Sequence, residues 1–129
     1  MPTEFRYITK EEMSNNIFRY KDFPVVFGLS SKYYIDKVGY YGLFFKDKLI
    51  AIAHIKITKD NICKLKAIEV KQYYQKKGYG KELLSKLEEV ARNKRCKEIR
   101  LVPRDYRVFD FYKKCRYEYI HEHLMKKIL

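Results

Sequence analysis

Hydrophobic and polar residues follow two different periods along this chain, and the period changes at Gly80. Before Gly80, short apolar runs separated by polar turns predict strands at 5–8, 41–45, 49–57 and 62–70. In the last of these runs, alternation predicts that one face of the strand carries Cys63, Leu65 and Ala67. After Gly80, the apolar positions have the spacing of one helix face: Leu83, Leu84, Leu87, Val90 and Ala91.

The polar face of this helix carries oppositely charged residues four positions apart. Glu82 and Lys86 form one such pair, and Glu88 and Arg92 form another. In each pair the acid precedes the base, which is the favoured orientation for a surface ion pair on a helix. We therefore predict two intrahelical ion pairs on the solvent side.

Capping signals predict two helices near the start of the chain. Thr9 followed three residues later by Glu12 is typical of a capping box, and it opens a helix that is predicted to reach about residue 20. A second short helix is predicted for residues 30–38, ended by Gly39.

The residue pattern in the C-terminal third of the chain predicts that strands and helices continue to alternate. A strand at 98–102 is stopped by Pro103, Asp105 can cap another helix, and residues 119–129 predict a final strand or strand pair. The resulting order is β-α-α-β-β-β-α-β-α-β. It predicts one α+β domain over residues 1–129, with a mixed, mostly antiparallel central sheet and helices on both faces.

Composition narrows the class of protein. The chain has 129 residues and a formal net charge of +13, from 29 basic and 16 acidic side chains. The electrostatic potential of a protein with this net charge favours anionic partners: nucleic acid, anionic lipid or a phosphate-rich ligand. No segment has the length of apolar sequence that a membrane span needs, and no secretory signal precedes residue 12, so we expect a cytoplasmic protein without membrane contact. The three cysteines lack ligand spacing, which predicts reduced thiols and no metal site.

Residues 70–84 carry the most informative pattern. A strand ends at Val70, and two glycines, Gly78 and Gly80, precede the strong amphipathic helix. Amides at a new helix start lack internal partners, and glycine lets a ligand approach the backbone, so this arrangement is typical of a phosphate site. Taken by itself, Gly-x-Gly also occurs at ordinary helix starts beside solvated lysines. The P-loop and GxGxxG patterns are both absent.

The run Q-K-K-G-Y-G at residues 75–80 resembles the Q/R-x-x-G-x-G/A signature of the GNAT superfamily of acyl-CoA-dependent N-acyltransferases. The F-Y-K-K run at 111–114 is similar to the F-Y-x-K of that family's later helix, and the closing L-M-K-K-I-L is similar to its common last strand. The sequence departs from the family pattern at four positions, where Pro, Gly, Asn and Gly are usual: Gln72, Lys76, Asp105 and Arg116.

The resemblance implies roles for individual residues. The main chain of Ile68 and Val70 would bind the pantetheine arm of acetyl-CoA. The pyrophosphate would lie on the turn and helix start, formed by Gln75, Lys76, Lys77, Gly78, Tyr79, Gly80 and Lys81. Tyr112 matches the tyrosine that protonates the departing thiolate. Glu69 is the leading candidate for a general base, and His54 is the second, although each also fits an ordinary structural role.

The function implied is transfer of acetyl from acetyl-CoA to a primary amine, on a small molecule or a peptide, by direct attack in a ternary complex. The family likeness leaves the choice between monomer and homodimer open. Two alternatives remain: a coenzyme A sensor without catalysis, and a nucleic-acid-binding module. The second alternative draws on a set of basic residues around the end of the long helix: Arg92, Lys94, Arg95, Lys97, Arg100 and Arg104.

Overall fold

The computed structural model describes residues 2–14, 22–24, 38–121 and 124–129. The strands are β1 (Glu4–Ile8), β2 (Val38–Phe45), β3 (Lys48–Ile57), β4 (Ile62–Val70), β5 (Glu98–Leu101), β6 (Glu118–His121) and β7 (Leu124–Ile128). The α-helices are α1 (Lys10–Ser14), α2 (Tyr79–Asn93) and α3 (Tyr106–Lys114), and a 3₁₀ turn covers Gln72–Tyr74.

The described strands form one sheet in the order β1-β2-β3-β4-β5-β7-β6. Neighbouring strands are antiparallel except β4 and β5, which are parallel and are joined through α2. The predicted mixed, mostly antiparallel α+β sheet is therefore confirmed, as is the strand pair at the C-terminal end.

Helices lie on both faces of this sheet, as predicted. On one side, which we call the α2 face, Leu83, Leu84 and Leu87 pack with strand residues such as Leu65 and Ile99. On the opposite side, the α1 face, a smaller apolar cluster has Met13 of α1 and Phe23 packed with strand residues: Ile8, Tyr40, Phe44, Leu49, Ile52 and Ala67.

A β-bulge changes the side-chain alternation of β4. Ile55 pairs with Leu65 and His54 pairs with Ala67, so Lys66 is an extra residue on β4. Consequently Leu65 belongs to the cluster on the α2 face, whereas Ala67 belongs to the cluster on the α1 face. The prediction that Cys63, Leu65 and Ala67 share one face is wrong for Ala67, because strict alternation does not survive an inserted residue.

β4 is longer than its pairing with β5. The two strands pair only from Ile62–Glu98 to Leu65–Leu101, while β4 continues to Val70 with β3 alone as its partner. We call the gap that opens beside residues 66–70 of β4 the fork. The fork leaves one edge of a central strand without a strand partner among the described residues.

The predicted N-terminal capping box is confirmed. The Glu12 amide donates to Thr9 Oγ1 at 3.1 Å, and the Thr9 amide donates to Glu12 Oε1 at 3.0 Å. The predicted continuation of this helix beyond Ser14 lies outside the described residues, as does most of the helix predicted for 30–38. The predicted end of that second helix is wrong, because Val38 and Gly39 already belong to β2.

Neither predicted ion pair on α2 is formed. Glu88 is 6% exposed, and it accepts hydrogen bonds from Tyr117 Oη at 3.0 Å and from Lys127 Nζ at 3.1 Å. Glu82 accepts from the hydroxyl of Thr3, and Lys86 lies 3.9 Å from Glu89. Helical spacing showed which residues share a face, but the packing of β7 and of the turn after α3 against α2 determined the partners of Glu88.

The turn after α3 has the geometry that glycine usually supplies. Arg116 has φ 71°, its amide donates to the Lys113 carbonyl at 2.9 Å, and the Tyr117 amide donates to the Tyr112 carbonyl at 3.0 Å. These two bonds with a left-handed residue define a Schellman motif. Arginine thus occupies the conformation of the family's usual glycine.

All three cysteines are free, as predicted. Cys63 and Cys96 are buried and Cys115 is partly buried. Burial raises the pKa of the Cys63 thiol to about 12, so this thiol stays protonated at neutral pH.

Candidate functional site

The edge of β4 at the fork presents main-chain groups of alternate residues. The Lys71 amide donates to the Ile50 carbonyl at 2.8 Å, which marks these two residues as a hydrogen-bonded pair. Because hydrogen-bonded and non-hydrogen-bonded pairs alternate along an antiparallel ladder, Val70 and Ile68 form non-hydrogen-bonded pairs with β3. Their N–H and C=O groups therefore point into the fork. These are the two residues that were predicted to bind an extended ligand through the main chain.

Gln75 connects the fork to the turn that follows it. Its side chain donates from Nε2 to the Val70 carbonyl oxygen at 2.9 Å, and its own amide donates to the Gln72 carbonyl at 3.2 Å. The carbonyl of Val70 thus has a partner, whereas no hydrogen bond is found to the Val70 N–H or to the main chain of Ile68 on the fork side within the described ranges.

A run of amides without hydrogen-bond partners follows Gln75. The first helical bond of α2 runs from the Glu82 amide to the Gly78 carbonyl at 3.1 Å. In the part of the chain that the structure describes, no acceptor is found for the amides of residues 76–81. A series of such amides at the start of a long helix, with the positive end of the helix dipole behind it, is the arrangement that binds phosphate.

Backbone conformation explains the glycine pattern of this turn. Gly78 has φ 91°, a backbone angle that favours glycine, and a Cβ placed on it would meet no atom within 4 Å, so the space above the turn is open. Lys76 has φ 61°, the left-handed value for which the family's usual glycine is suited. A Cβ on Gly80 would lie 3.5 Å from Phe111 Cζ and 3.6 Å from Val70 Cγ2, an ordinary contact distance.

The contacts at Gly80 show that three elements meet at the fork. Val70 ends β4, Gly80 lies in the first turn of α2, and Phe111 belongs to α3. The structure therefore brings the strand edge, the amide run and the later helix to one place. The side chains of Lys76, Lys77 and Lys81 are exposed around the turn, and Lys77 Nζ lies 4.7 Å from the centre of the Tyr73 ring.

Tyr112 lies beside Phe111 on α3. It is 7% exposed, and its ring makes edge contacts with Phe111 at 5.2 Å and with Tyr117 at 5.8 Å. Burial raises the pKa of the Tyr112 hydroxyl, and the nearby Cys115 thiol raises it further. The hydroxyl therefore keeps its proton over the whole physiological range, so that proton is available for transfer.

The two candidate bases lie on the α1 face, on neighbouring strands. Glu69 pairs with Ile52 and His54 pairs with Ala67, so the two side chains are diagonal neighbours across β3 and β4. Glu69 reaches this face because of the bulge at Lys66, since unbroken alternation from Leu65 would have placed it on the α2 face. Glu69 is half-buried and has an interaction partner.

His54 is a buried, neutral imidazole. It is 8% exposed, and its ring stacks on Tyr40 with 4.4 Å between ring centres and 5° between planes. Burial lowers the pKa of His54 to about 4, and the charge of Lys66 adds to this effect. Its Nε2 is buried and finds no hydrogen-bond partner in the described part of the chain. Tyr40 belongs to the apolar cluster on this face, whereas its neighbour Tyr41 packs toward the α2 face.

The structure also bears on metal, nucleic-acid and membrane contacts. No group of three or more His, Cys, Asp or Glu side chains is placed to hold a metal ion within the ranges described. Of the basic set around the end of α2, Arg100 lies instead on the α1 face of β5, where its Nε is 2.8 Å from Glu98 Oε2. No helix among the described residues is long and apolar enough to cross a membrane.

The fold and the amide-lined turn are those of acyltransferases that use a coenzyme A thioester. The model of the acetyltransferase (GNAT) family matches residues 6–117, and this chain belongs to that family. Among curated proteins, no sequence matches it significantly.

Solved structures agree with the family match. PaiA N-acetyltransferase from Thermoplasma acidophilum, in complex with coenzyme A, has 20% identity and a TM-score of 0.75, with all of both chains covered. The ribosomal-protein-S18-alanine N-acetyltransferase of Escherichia coli has 14% identity and a TM-score of 0.79, covering 98% of this chain and 94% of that one. A GNAT family acetyltransferase from Elizabethkingia anophelis with acetyl-CoA bound has 14% identity and a TM-score of 0.76, covering 98% of each chain.

Sequence reasoning missed the bulge at Lys66 and the hydrogen bond from Gln75 to Val70. The only sequence signal of the bulge is that Glu69, a charged residue, follows Cys63, Leu65 and Ala67 at every second position. A carboxylate continuing an apolar alternation indicates that the alternation has shifted.

Proposed function

We propose that this acyltransferase moves the acetyl group of acetyl-CoA to a primary amine in a ternary complex. The observation that carries the proposal is the adjacency of the two main-chain surfaces: the unpaired edge of β4 at the fork and the amides of residues 76–81. The first suits an extended amide-bearing arm and the second suits a diphosphate. Acetyl-CoA contains both.

In the bound state, the diphosphate would accept hydrogen bonds from amides of the turn and of the α2 start, and Lys76, Lys77 and Lys81 would add positive potential. The pantetheine arm would run back along β4, pairing with the Ile68 main chain and the Val70 N–H. Open space above Gly78 and the modest clearance at Gly80 fit such close approach. The thioester end then lies at the fork, where β5 has ended.

The reaction needs two proton movements. The amine nitrogen attacks the thioester carbonyl carbon, an N–C bond forms, and the C–S bond breaks. Tyr112, whose raised pKa keeps it protonated, would donate its proton to the departing thiolate. The attacking nitrogen loses its proton toward Glu69, directly or through water. No covalent acyl-enzyme is required.

The choice of Glu69 over His54 rests on access and position. Glu69 is half-buried and directly precedes Val70 on the strand edge at the fork, whereas His54 is 8% exposed and its ring is stacked on Tyr40. A lysine-like amine is free at about one part in a thousand at pH 7, whereas an α-amine is free at about one part in ten. With a carboxylate as the base, an α-amine is the easier acceptor. The E. coli neighbour, an S18-alanine N-acetyltransferase by name, acts on a protein amine.

A panel of amines tests the proposal. Purified protein is mixed with acetyl-CoA and with polyamines, amino acids, aminoglycosides and peptides in turn, while free thiol is monitored, and acetyl-CoA binding is measured by calorimetry. Thiol release together with a mass increase of the amine by one acetyl group is the expected result.

The other outcomes contradict the proposal in distinct ways. Acetyl-CoA binding without thiol release for any amine would assign the chain to coenzyme sensing. Nucleic-acid binding with a steep salt dependence and no response to acetyl-CoA would assign it to the nucleic-acid-binding class.

A further inference from the structure

Basic side chains form a row across the sheet at the closed end of the fork. Lys56 on β3 pairs with Lys64 on β4, Lys64 pairs with Arg100 on β5, and Arg100 pairs with Lys126 on β7. Residues that pair in register lie side by side on the same face of a sheet, about 4.8 Å apart from strand to strand. We call these four residues the cationic row.

The cationic row lies on the α1 face. The flanking residues in each strand, such as Ile55, Leu65, Ile99 and Met125, are buried in the cluster on the α2 face. The four basic side chains therefore point the other way, and all are exposed or half-buried. Bulged Lys66 adds a further exposed cation beside the row.

Acidic side chains offset only part of this charge. Glu98 pairs with Arg100, whose hydrogen bond lowers the pKa of the Glu98 carboxyl, and the charge of Lys126 contributes to that lowering. Glu118 is the register partner of Lys126 at the outer edge. No carboxylate is found to pair with Lys56, Lys64 or Lys66 within the described ranges, so this surface stays net positive.

The row adjoins the expected reaction centre. Lys64 and Arg100 are the pair directly before Leu65 and Leu101, where the fork opens. This step rests on the proposed function, since it is the proposed course of the pantetheine arm along β4 that brings the thioester to the fork. An acceptor amine attacking there has the cationic row beside it.

We propose that the cationic row selects an acidic polypeptide as the acceptor, with its terminal amine at the fork and its carboxylates on the row. From β3 to β7 the row spans on the order of 14 Å, which is about four residues of an extended peptide. Cations at this surface attract carboxylates and repel polyamines, so they favour one acceptor class over the other. They also disfavour the protonated form of a nearby amine, which raises the fraction of acceptor that can attack.

Paired peptides provide the test. Two peptides share the same first residue, followed by four acidic residues in one and four lysines in the other, and kcat/KM is measured for each with saturating acetyl-CoA. We expect a preference of about tenfold or more for the acidic peptide. The preference should shrink as ionic strength rises from about 0.05 to about 0.5 M, because salt screens exposed charges.

Charge-reversal variants assign the preference to the row. Lys64→Glu combined with Lys126→Glu should abolish or invert it while leaving the KM for acetyl-CoA unchanged. Lys86→Glu combined with Lys94→Glu, on α2 and directly after it, changes the net charge equally and should keep the preference. If the reversal variant folds poorly, as judged by thermal unfolding, Lys64→Gln with Lys126→Gln replaces it, and the preference should then fall severalfold.

Each contrary result has its own meaning. The inference is overturned if kcat/KM is equal for the two peptides, or if the Lys86/Lys94 variant loses the peptide preference as fully as the Lys64/Lys126 variant does. Thiol release with small amines would still support the proposed transfer in either case. If none of the amines or peptides leads to thiol release, the proposed function itself is overturned. RNA binding that is lost in the row variant, without any peptide preference, would assign the row to nucleic acid instead.

Discussion

Gln75 Nε2 donates a hydrogen bond to the main-chain oxygen of Val70 at 2.9 Å. This bond joins the first residue of the family signature to the last residue of the forked strand. It fixes the position of the turn that carries the free amides relative to the strand edge. The two surfaces proposed to bind acetyl-CoA are therefore held at a constant distance from each other. The signature glutamine thus acts on the protein's own backbone.

Removing this bond should weaken acetyl-CoA binding. A hydrogen bond of this kind contributes about 0.5–1.5 kcal/mol, so Gln75→Ala should raise the Kd for acetyl-CoA by roughly two- to tenfold in calorimetry. Gln75→Arg keeps a donor at this position, as the family signature allows, and should restore most of the affinity. Equal affinity for wild type and Gln75→Ala would show that the bond does not organise the site.

The two signature glycines should respond in opposite ways to the same substitution. Gly78 has φ 91°, so Gly78→Ala should lower stability by about 1–2 kcal/mol and weaken acetyl-CoA binding. Gly80 is helical and a Cβ there meets only ordinary contacts, so Gly80→Ala should fold at least as stably as wild type. Thermal unfolding of the two variants side by side measures this, and a stable Gly78→Ala would contradict the left-handed turn.

Tyr112→Phe should separate chemistry from binding. Loss of a general acid typically lowers the rate by about 10²–10⁴, and the ring contacts of Tyr112 with Phe111 and Tyr117 are kept in phenylalanine. We expect kcat to fall by about 10² or more with the Kd for acetyl-CoA nearly unchanged. Phe111→Leu serves as a packing control, and unchanged turnover in Tyr112→Phe would remove this hydroxyl from the mechanism.

His54 should make the fold sensitive to mild acid. Its pKa of about 4 in the folded protein lies below the ordinary 6.5, so the unfolded chain binds the proton more readily. The part of the unfolding free energy that depends on a neutral His54 is fully present above pH 6.5. It is lost as the pH falls toward 4, by about 3 kcal/mol in total. Urea unfolding at pH 7, 5.5 and 4 should show a steeper loss for wild type than for His54→Asn. Parallel pH profiles would refute the assignment.

Glu88 and its neighbour Glu89 should differ sharply in their contribution to stability. Glu88→Ala leaves Tyr117 Oη and Lys127 Nζ without their acceptor, and removing one member of a buried charged network costs about 2–4 kcal/mol. Glu89 is exposed, and its Oε2 lies 3.9 Å from Lys86 Nζ in a solvent-screened pair. Glu89→Ala should therefore change the free energy of unfolding by less than about 0.5 kcal/mol. Equal urea midpoints would show that the network adds nothing.

The elements themselves could be predicted because their signals are local. The apolar face of α2 and the capping box at Thr9 depend on residues within a few positions of one another, and the structure confirms both. The signature turn was also readable, since the glycines reflect backbone angles that the residue type itself constrains. The start of β2 was misjudged because a glycine such as Gly39 can end a helix or begin a strand equally well.

The sequence by itself therefore determined the order of strands and helices, the family, and the turn on which the coenzyme is proposed to lie. Only the tertiary structure decided which face each functional side chain occupies. The inserted Lys66 moves Glu69 to the side of His54, and packing of β7 against α2 pairs Glu88 with Lys127 rather than Arg92. Alternation and helical spacing fix neighbours along one element, whereas bulges and partners across elements depend on contacts between residues far apart in the chain.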